Sequence, residues 1–210
     1  MNTREECIWV ANTLFKKGLV SGSTGNISYK ENDYICISKS GSCFGLLDAN
    51  SFAKVSLDGQ ILEGNPSKEW PMHLRLYQEN NNTNAIIHTH SFYSTLYSCL
   101  DEIDINDLFK YTPYLKMQTN GNINIIEYGK PGSEDLFTKF NSMVNKETNC
   151  YLLRNHGILV ASTSLLKTFY IIEEFEQSSR IALSIKDGLK YITIYDETVN
   201  KKGAVQKPKC

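Results

Sequence analysis

A histidine pair at the end of an apolar run constrains this chain more than any other feature. His88 and His90 follow the apolar residues 85–87, and alternate side chains of a β-strand point to the same face. A third histidine, His156, lies in an Asn-His-Gly turn. Three neutral nitrogen ligands with an open fourth position are typical of a catalytic zinc site. The pair alone could also be two half-buried histidines that form hydrogen bonds with the backbone. A metal site requires, in addition, a fold that brings His156 close to the pair.

The charge and length of the chain limit its partners and its organisation. Its 22 basic and 23 acidic residues nearly cancel, which argues against nucleic acid or an anionic membrane as the main partner. No segment approaches the roughly 18 consecutive apolar residues of a membrane span. We therefore expect one domain over residues 1–200 and a polar tail over residues 201–210.

The cysteines and the N-terminus predict a cytoplasmic protein. The six cysteines are scattered without a Cys-x-x-Cys pair, so they are expected to be reduced thiols rather than a disulfide framework. The first residues lack the basic and then apolar order of a signal peptide.

Hydrophobic periodicity predicts alternating helices and strands. Thr3 is the expected cap of a first helix that ends near Lys17, with Glu6 completing a capping box. Strands are predicted over residues 27–29, 34–38, 53–57, 84–88, 122–128, 150–153 and 158–160, and further helices over residues 71–79, 92–100, 133–143 and 164–186. Residues 101–122 are predicted as a loop with short pieces of structure. Without a strict βαβ rhythm, this order indicates a single α/β domain with α/β/α layers around a central mixed, largely antiparallel sheet.

Two further polar residues lie near the predicted helix at residues 71–79. Glu69 ends the loop before this helix, and a carboxylate beside zinc can act as a general acid/base or occupy the open coordination position. It could equally be an ordinary first-turn acid that interacts with the helix dipole. His73 lies within the helix among apolar residues, and we expect a core histidine with a local hydrogen bond rather than a metal ligand.

Three segments of small residues could bind an anion. They are residues 23–26, 38–41 and 66–68. Glycine permits close backbone approach, serine hydroxyls and amides donate hydrogen bonds, and lysine adds charge. Each segment alone is compatible with an ordinary turn, but their joint occurrence upstream of a histidine triad favours a phosphorylated substrate.

Together these motifs resemble the class II aldolase/adducin family across residues 5–185. The resemblance rests on residues 22–28, 40–41, 66–69, 72–73, 88–91 and 155–157. It implies one zinc ion per subunit, although sequence does not separate zinc from manganese, iron or cobalt. It also implies a homotetramer. The implied site comprises the metal ligands His88, His90 and His156, the acid/base Glu69, and a phosphate pocket of Gly25, Asn26, Ser40, Gly41 and Ser67.

Details of the motifs favour one branch of that family. Sugar-phosphate aldolases usually carry two serines before the glutamate, and pentulose-phosphate 4-epimerases usually have aspartate in its place. The run Ser67, Lys68, Glu69 and the stretches at residues 111–117 and 126–132 instead resemble the branch that decarboxylates 3-oxo-tetronate 4-phosphates. This implies formation of dihydroxyacetone phosphate and carbon dioxide through a metal-stabilised enediolate. We hypothesise that Lys68 contacts the phosphate or the substrate carboxylate, because an added cation suits a more anionic substrate.

The sequence is also compatible with three other functions. The first is a sugar-phosphate aldolase of the L-fuculose or L-rhamnulose phosphate type, which passes through the same enediolate. The second is a methylthioribulose-phosphate dehydratase. The third is a non-catalytic interaction module like the adducin head, which predicts broken metal ligands, whereas all three histidines and Glu69 are present.

Overall fold

The computed structural model describes residues 2–185, in which helices and strands alternate. The strands are β1 (Asn26–Glu31), β2 (Tyr34–Ser38), β3 (Phe52–Ser56), β4 (Ile61–Glu63), β5 (Ala85–Thr89), β6 (Ile123–Ile126), β7 (Cys150–Leu153) and β8 (Gly157–Ser162). The α-helices are α1 (Thr3–Lys16), α2 (Trp70–Glu79), α3 (Phe92–Ser98), α4 (Tyr114–Thr119), α5 (Glu134–Met143) and α6 (Leu165–Ser184). Three predictions fall outside the described residues: the polar tail at residues 201–210, the domain end at residue 200 and the helix end at Lys186.

The eight described strands form one sheet in the order β4-β3-β2-β1-β5-β8-β7-β6. Among them, only β6 and β7 pair in parallel, and the other neighbours are antiparallel. A parallel pair needs a crossover connection, which α5 provides between β6 and β7. The predicted mixed, largely antiparallel sheet is confirmed.

Helices cover both faces of the sheet because its central strands are apolar on both sides. In β5, Ile86 packs into the cluster formed with α2 and α5, whereas Ala85 and Ile87 pack into the cluster formed with α1, α3, α4 and α6. The predicted α/β/α layers are therefore confirmed. Within residues 2–185, none of the helices combines the length and hydropathy needed to span a bilayer.

The predicted cap of the first helix is wrong by one residue. Asn2 caps α1, because its side chain accepts the N–H of Glu5 while the Glu5 carboxylate accepts the N–H of Asn2, both at 2.9 Å. Thr3 is instead the first helical residue. Asparagine is a strong N-cap residue, and its three-residue spacing to Glu5 meets the requirement of a reciprocal capping box.

The pairing of β5 brings three strand ends together at one edge of the sheet. Asn26 of β1 pairs with His88, and Thr89 pairs with Ile158 of β8. Because both pairings are antiparallel, the starts of β1 and β8 lie beside the end of β5. Gly25, just before β1, approaches this end closely: a Cβ there would lie 2.6 Å from the carbonyl oxygen of His88.

This close approach predicts that Gly25→Ala destabilises the fold more than Gly22→Ala. Both glycines have positive φ, +76° and +57° respectively, but a Cβ on Gly22 would meet no described atom within 4 Å. Both substitutions strain the backbone, so any difference between their free energies of unfolding reports the clash of Gly25→Ala with the β5 backbone. We expect this difference to be at least about 1 kcal/mol. Denaturant unfolding measures it. Equal losses in both variants would contradict the close packing of β1 on β5.

Candidate metal centre and active site

Three histidines converge at one edge of the sheet, where the end of β5 lies between the starts of β1 and β8. His88 Nε2 lies 2.9 Å from His90 Nε2 and 3.3 Å from His156 Nε2. The possible ligand atoms of all three lie within 4.8 Å of one another. Nitrogens bound to one tetrahedral zinc ion at about 2.1 Å would be roughly 3.4 Å apart. The cluster therefore has the spacing to hold a metal ion.

The charge state of the histidines suits a cation. Burial, followed by the neighbouring imidazoles, holds the pKa of His88 well below its usual value. Burial likewise lowers the pKa of His90 to about 4 and lowers that of His156. Nδ1 of His88 donates to the Ile158 carbonyl oxygen at 2.8 Å, so its Nε2 directs a lone pair at the other rings. Neutral imidazole nitrogens at this spacing are the form that binds a metal.

Glu69 lies directly beside the histidines. It precedes α2 and is buried, 4% exposed. Its Oε2 lies 3.4 Å from His88 Nε2, and its Oε1 lies 3.4 Å from His156 Nε2. Oε1 is buried without a hydrogen-bond partner among the described residues. A buried carboxylate oxygen without a partner is costly unless a cation or a proton is nearby, so Oε1 requires one of the two at this place.

The predicted anion-binding segments lie at the same edge of the sheet. Ser40 N–H donates to the Asn65 carbonyl at 3.0 Å, and Ser67 N–H donates to the Ser38 carbonyl at 3.1 Å. These bonds pair residues 38–40 with residues 65–67, immediately before Glu69. Gly41 has a φ of +77° and open space around its α-carbon. The structure thus brings Gly25, Asn26, Ser40, Gly41, Ser67 and Lys68 to the edge that carries the histidines.

Lys68 adds a positive charge beside the cluster. Its charge contributes to the lowered pKa of both His90 and His156. Its aliphatic stem passes over Gly132, where a Cβ would lie 2.7 Å from Lys68 Cδ. Sequence reasoning missed this role of Gly132, because the contact joins the loop before α5 to the loop before α2.

The structure changes the interpretation of His73. It is a fully buried core residue, as predicted, but its hydrogen bonds are not local. Nδ1 lies 2.7 Å from Ser28 Oγ, and Nε2 lies 2.5 Å from Asn26 Oδ1. Asn26 Nδ2 in turn donates to Glu69 Oε2 at 2.9 Å. His73 is thus linked to the predicted acid/base through Asn26, whose side-chain amide forms hydrogen bonds through both its oxygen and its nitrogen.

Comparisons with known sequences agree with this geometry. The sequence profile of the Class II Aldolase and Adducin N-terminal domain matches residues 5–183. The 3-oxo-tetronate 4-phosphate decarboxylase of Escherichia coli O6:H1 is 34% identical over 194 residues, covering 90% of this chain and 91% of its own length. The L-fuculose phosphate aldolase of Methanocaldococcus jannaschii is 31% identical over 181 residues, covering 86% of this chain and 95% of its own length.

Solved structures show the same architecture. The crystal structure of YgbL from Klebsiella pneumoniae superposes with a TM-score of 0.85 at 30% sequence identity, covering 95% of this chain and 96% of that one. The two curated relatives are both named for enzymes that break a carbon–carbon bond, a decarboxylase and an aldolase. On the profile match, the near full-length relatives and the shared fold, the chain belongs to the class II aldolase/adducin family.

Proposed function

We propose that this protein is a zinc-dependent lyase that converts a 3-oxo-tetronate 4-phosphate into dihydroxyacetone phosphate and carbon dioxide. The observation that carries the proposal is the buried Glu69 carboxylate, 3.4 Å from two of three converging neutral histidines. The choice of substrate is supported by the 34% identity to the Escherichia coli 3-oxo-tetronate 4-phosphate decarboxylase.

The residues of the site suit the chemistry of such a substrate. Its carboxylate is β to a ketone, so cleavage of the bond between C1 and C2 releases carbon dioxide and leaves the electron pair as an enediolate over C2 and C3. A zinc ion held by His88, His90 and His156 would supply Lewis-acid stabilisation of that negative charge. Glu69 then delivers a proton to C2, which becomes the hydroxymethyl carbon of dihydroxyacetone phosphate. Water is the final source of this proton.

We assign the substrate phosphate to the small-residue loops at the edge of the sheet. Ser40 and Ser67 offer side-chain hydroxyls, because their backbone N–H groups already donate to carbonyls, and Gly41 offers open space around its backbone. Gly25 lies directly beside the end of β5 that carries His88. Such groups bind phosphate without a large side chain in the way. Asn26 contributes to this pocket less directly, because its amide already contacts His73 and Glu69.

The second candidate reaction is aldol cleavage of a sugar phosphate. It is favoured by the 31% identity to the L-fuculose phosphate aldolase of Methanocaldococcus jannaschii. Retro-aldol cleavage yields the same enediolate, with an aldehyde instead of carbon dioxide as the leaving fragment. The histidines and Glu69 serve both reactions equally, so the leaving fragment must be selected by groups at the rim of the site.

We also propose a homotetramer. Three large apolar side chains, Leu46, Met117 and Phe92, are 81%, 70% and 66% exposed in the isolated chain. Large exposed apolar patches mark protein–protein interaction sites, so we expect these side chains to lie at subunit contacts. Light scattering of the purified protein measures the mass.

A cytoplasmic location is proposed from the thiols. The cysteines in residues 2–185 are all free, and three of them are buried. Unpaired cysteines are typical of a reducing compartment.

The proposal predicts that activity requires both the metal and Glu69. Zinc-loaded protein incubated with 3-oxo-tetronate 4-phosphate should release equal amounts of carbon dioxide and dihydroxyacetone phosphate, and a chelator should abolish turnover until zinc is restored. Glu69→Gln keeps the size of the side chain but removes the proton donor, so kcat should fall at least about 100-fold. Zinc content, measured on the same samples, controls for loss of the metal. Cleavage of a ketose 1-phosphate without release of carbon dioxide would support the aldolase instead.

The charge of Lys68 predicts a change in substrate binding. Lys68→Ser removes the cation that lies beside His90 and His156. A charge-assisted hydrogen bond contributes about 1.5–3 kcal/mol, so KM for 3-oxo-tetronate 4-phosphate should rise about tenfold or more. Lys16→Ser, at the end of α1, serves as the control. Unchanged decarboxylase kinetics in Lys68→Ser would exclude contact between Lys68 and the substrate.

A further inference from the structure

A continuous path of buried hydrogen bonds leads from the core to Glu69. Tyr77 Oη lies 2.9 Å from Ser28 Oγ, which lies 2.7 Å from His73 Nδ1. His73 Nε2 lies 2.5 Å from Asn26 Oδ1, and Asn26 Nδ2 lies 2.9 Å from Glu69 Oε2. All five side chains belong to residues less than 5% exposed. We call this path the Glu69 relay.

The relay is possible because the polar side chains on one face of α2 and on one face of β1 have nearly the same spacing. Glu69, His73 and Tyr77 are four residues apart at the start of α2 and along it, so they share one face, about 6.0 Å apart along the axis. Asn26 and Ser28 are two residues apart on β1, so they also share one face, about 6.6 Å apart. Because the two spacings nearly agree, the side chains of α2 and β1 alternate along the relay.

The chemistry of the groups fixes the direction of every hydrogen bond. A carboxylate only accepts, so Asn26 directs its NH₂ group at Glu69 and its carbonyl oxygen at His73. His73 must therefore donate from Nε2, which leaves Nδ1 as an acceptor for the hydroxyl of Ser28. Ser28 Oγ then accepts from Tyr77. Each donor points toward Glu69, and the last donor reaches Oε2 only.

The two oxygens of Glu69 are consequently different. Oε2 is held by Asn26, whereas Oε1 is buried without a hydrogen-bond partner among the residues that the structure describes. An oxygen that accepts no hydrogen bond from the protein keeps its lone pairs available to the substrate, and holding it in a fixed position favours proton transfer. We propose that His73 is a positioning residue that orients Asn26, so that Glu69 is anchored through Oε2 and exchanges its proton with the substrate through Oε1. This inference rests on the proposed role of Glu69 as the acid/base.

Burial keeps the His73 ring neutral at neutral pH. It lowers the pKa of His73 to about 3, and the other relay side chains that contact the ring, Ser28 and Asn26, carry no charge. The neutral ring can hold only one proton, on either Nε2 or Nδ1. The relay demands Nε2, and a His73 that merely filled space in the core would have no such requirement.

The tautomer of His73 provides a test that is independent of activity. In ¹⁵N-labelled, metal-free protein at neutral pH, long-range proton–nitrogen correlation spectra should show His73 protonated at Nε2 and unprotonated at Nδ1. Protonation at Nδ1 would overturn the inference, because Asn26 would then have no donor to orient it. This measurement tests the orientation of Asn26 by His73 even if the protein does not decarboxylate 3-oxo-tetronate 4-phosphate. Absence of decarboxylation would contradict only the proposed function.

Variants of His73 test its effect on proton transfer in the zinc-loaded protein. The readout is exchange of the hydroxymethyl protons of dihydroxyacetone phosphate with D₂O, which requires Glu69 but no loss of carbon dioxide. His73→Leu removes the donor to Asn26 and should slow this exchange by between about tenfold and 100-fold, with KM and zinc content within about twofold of wild type. His73→Gln retains a donor near the position of Nε2 and should recover most of the rate.

A matched core variant separates positioning from general loss of stability. Leu76→Ala also removes a buried side chain of α2, 3% exposed, but lies outside the relay. It should lower the melting temperature while leaving the exchange rate within about twofold of wild type. Equal slowing in Leu76→Ala and His73→Leu, or an unchanged rate in His73→Leu, would show that His73 has only a structural role.

Discussion

The antiparallel pairing of β5 between β1 and β8 is the constraint on which the site depends. Each antiparallel pairing places the end of one strand beside the start of its neighbour. His88, within the end of β5, and His90, just after it, therefore meet both the first residue of β1 and the turn that precedes β8. The small φ-positive Gly25 allows β1 to approach the β5 backbone closely at this point. A parallel arrangement of these strands would have separated His156 from His88.

A second constraint is the packing of α2 against β1. The helix places a side chain every four residues and the strand every two, and these spacings nearly coincide along their axes. The result is an alternating set of polar groups in an otherwise apolar layer, and it is stabilised because every side chain in the set makes at least one hydrogen bond. It also gives Glu69 one anchored oxygen and one without a partner. The same packing that satisfies the core thus orients the predicted acid/base.

Burial determines the electrostatics of the site. It lowers the pKa of all three histidines; Lys68 adds to this effect at His90 and His156, whereas Glu69 opposes it at His156. It also confines a carboxylate oxygen without a partner 3.4 Å from Nε2 of His156, one of the three converging histidines. Such a group of electron-rich atoms is unfavourable by itself and becomes favourable with a bound cation. The site therefore favours a divalent metal, and the positive rim at Lys68 favours an anionic ligand.

Local sequence patterns were sufficient to predict the layers and the largely antiparallel sheet, and to select the residues proposed for the site. These follow from local periodicity and from short motifs such as His-x-His, which depend on neighbours within a few residues. The predicted cap of α1 was wrong even though it depends on neighbouring residues. Asn2 and Thr3 are both good N-cap residues, and the contact of Asn2 with Glu5 selects Asn2. The link from His73 to Glu69 through Asn26, and the position of Gly132 beneath Lys68, could be found only from the folded chain. Those contacts join segments that lie far apart in sequence, and strand pairing and packing of the whole domain determine which distant side chains meet.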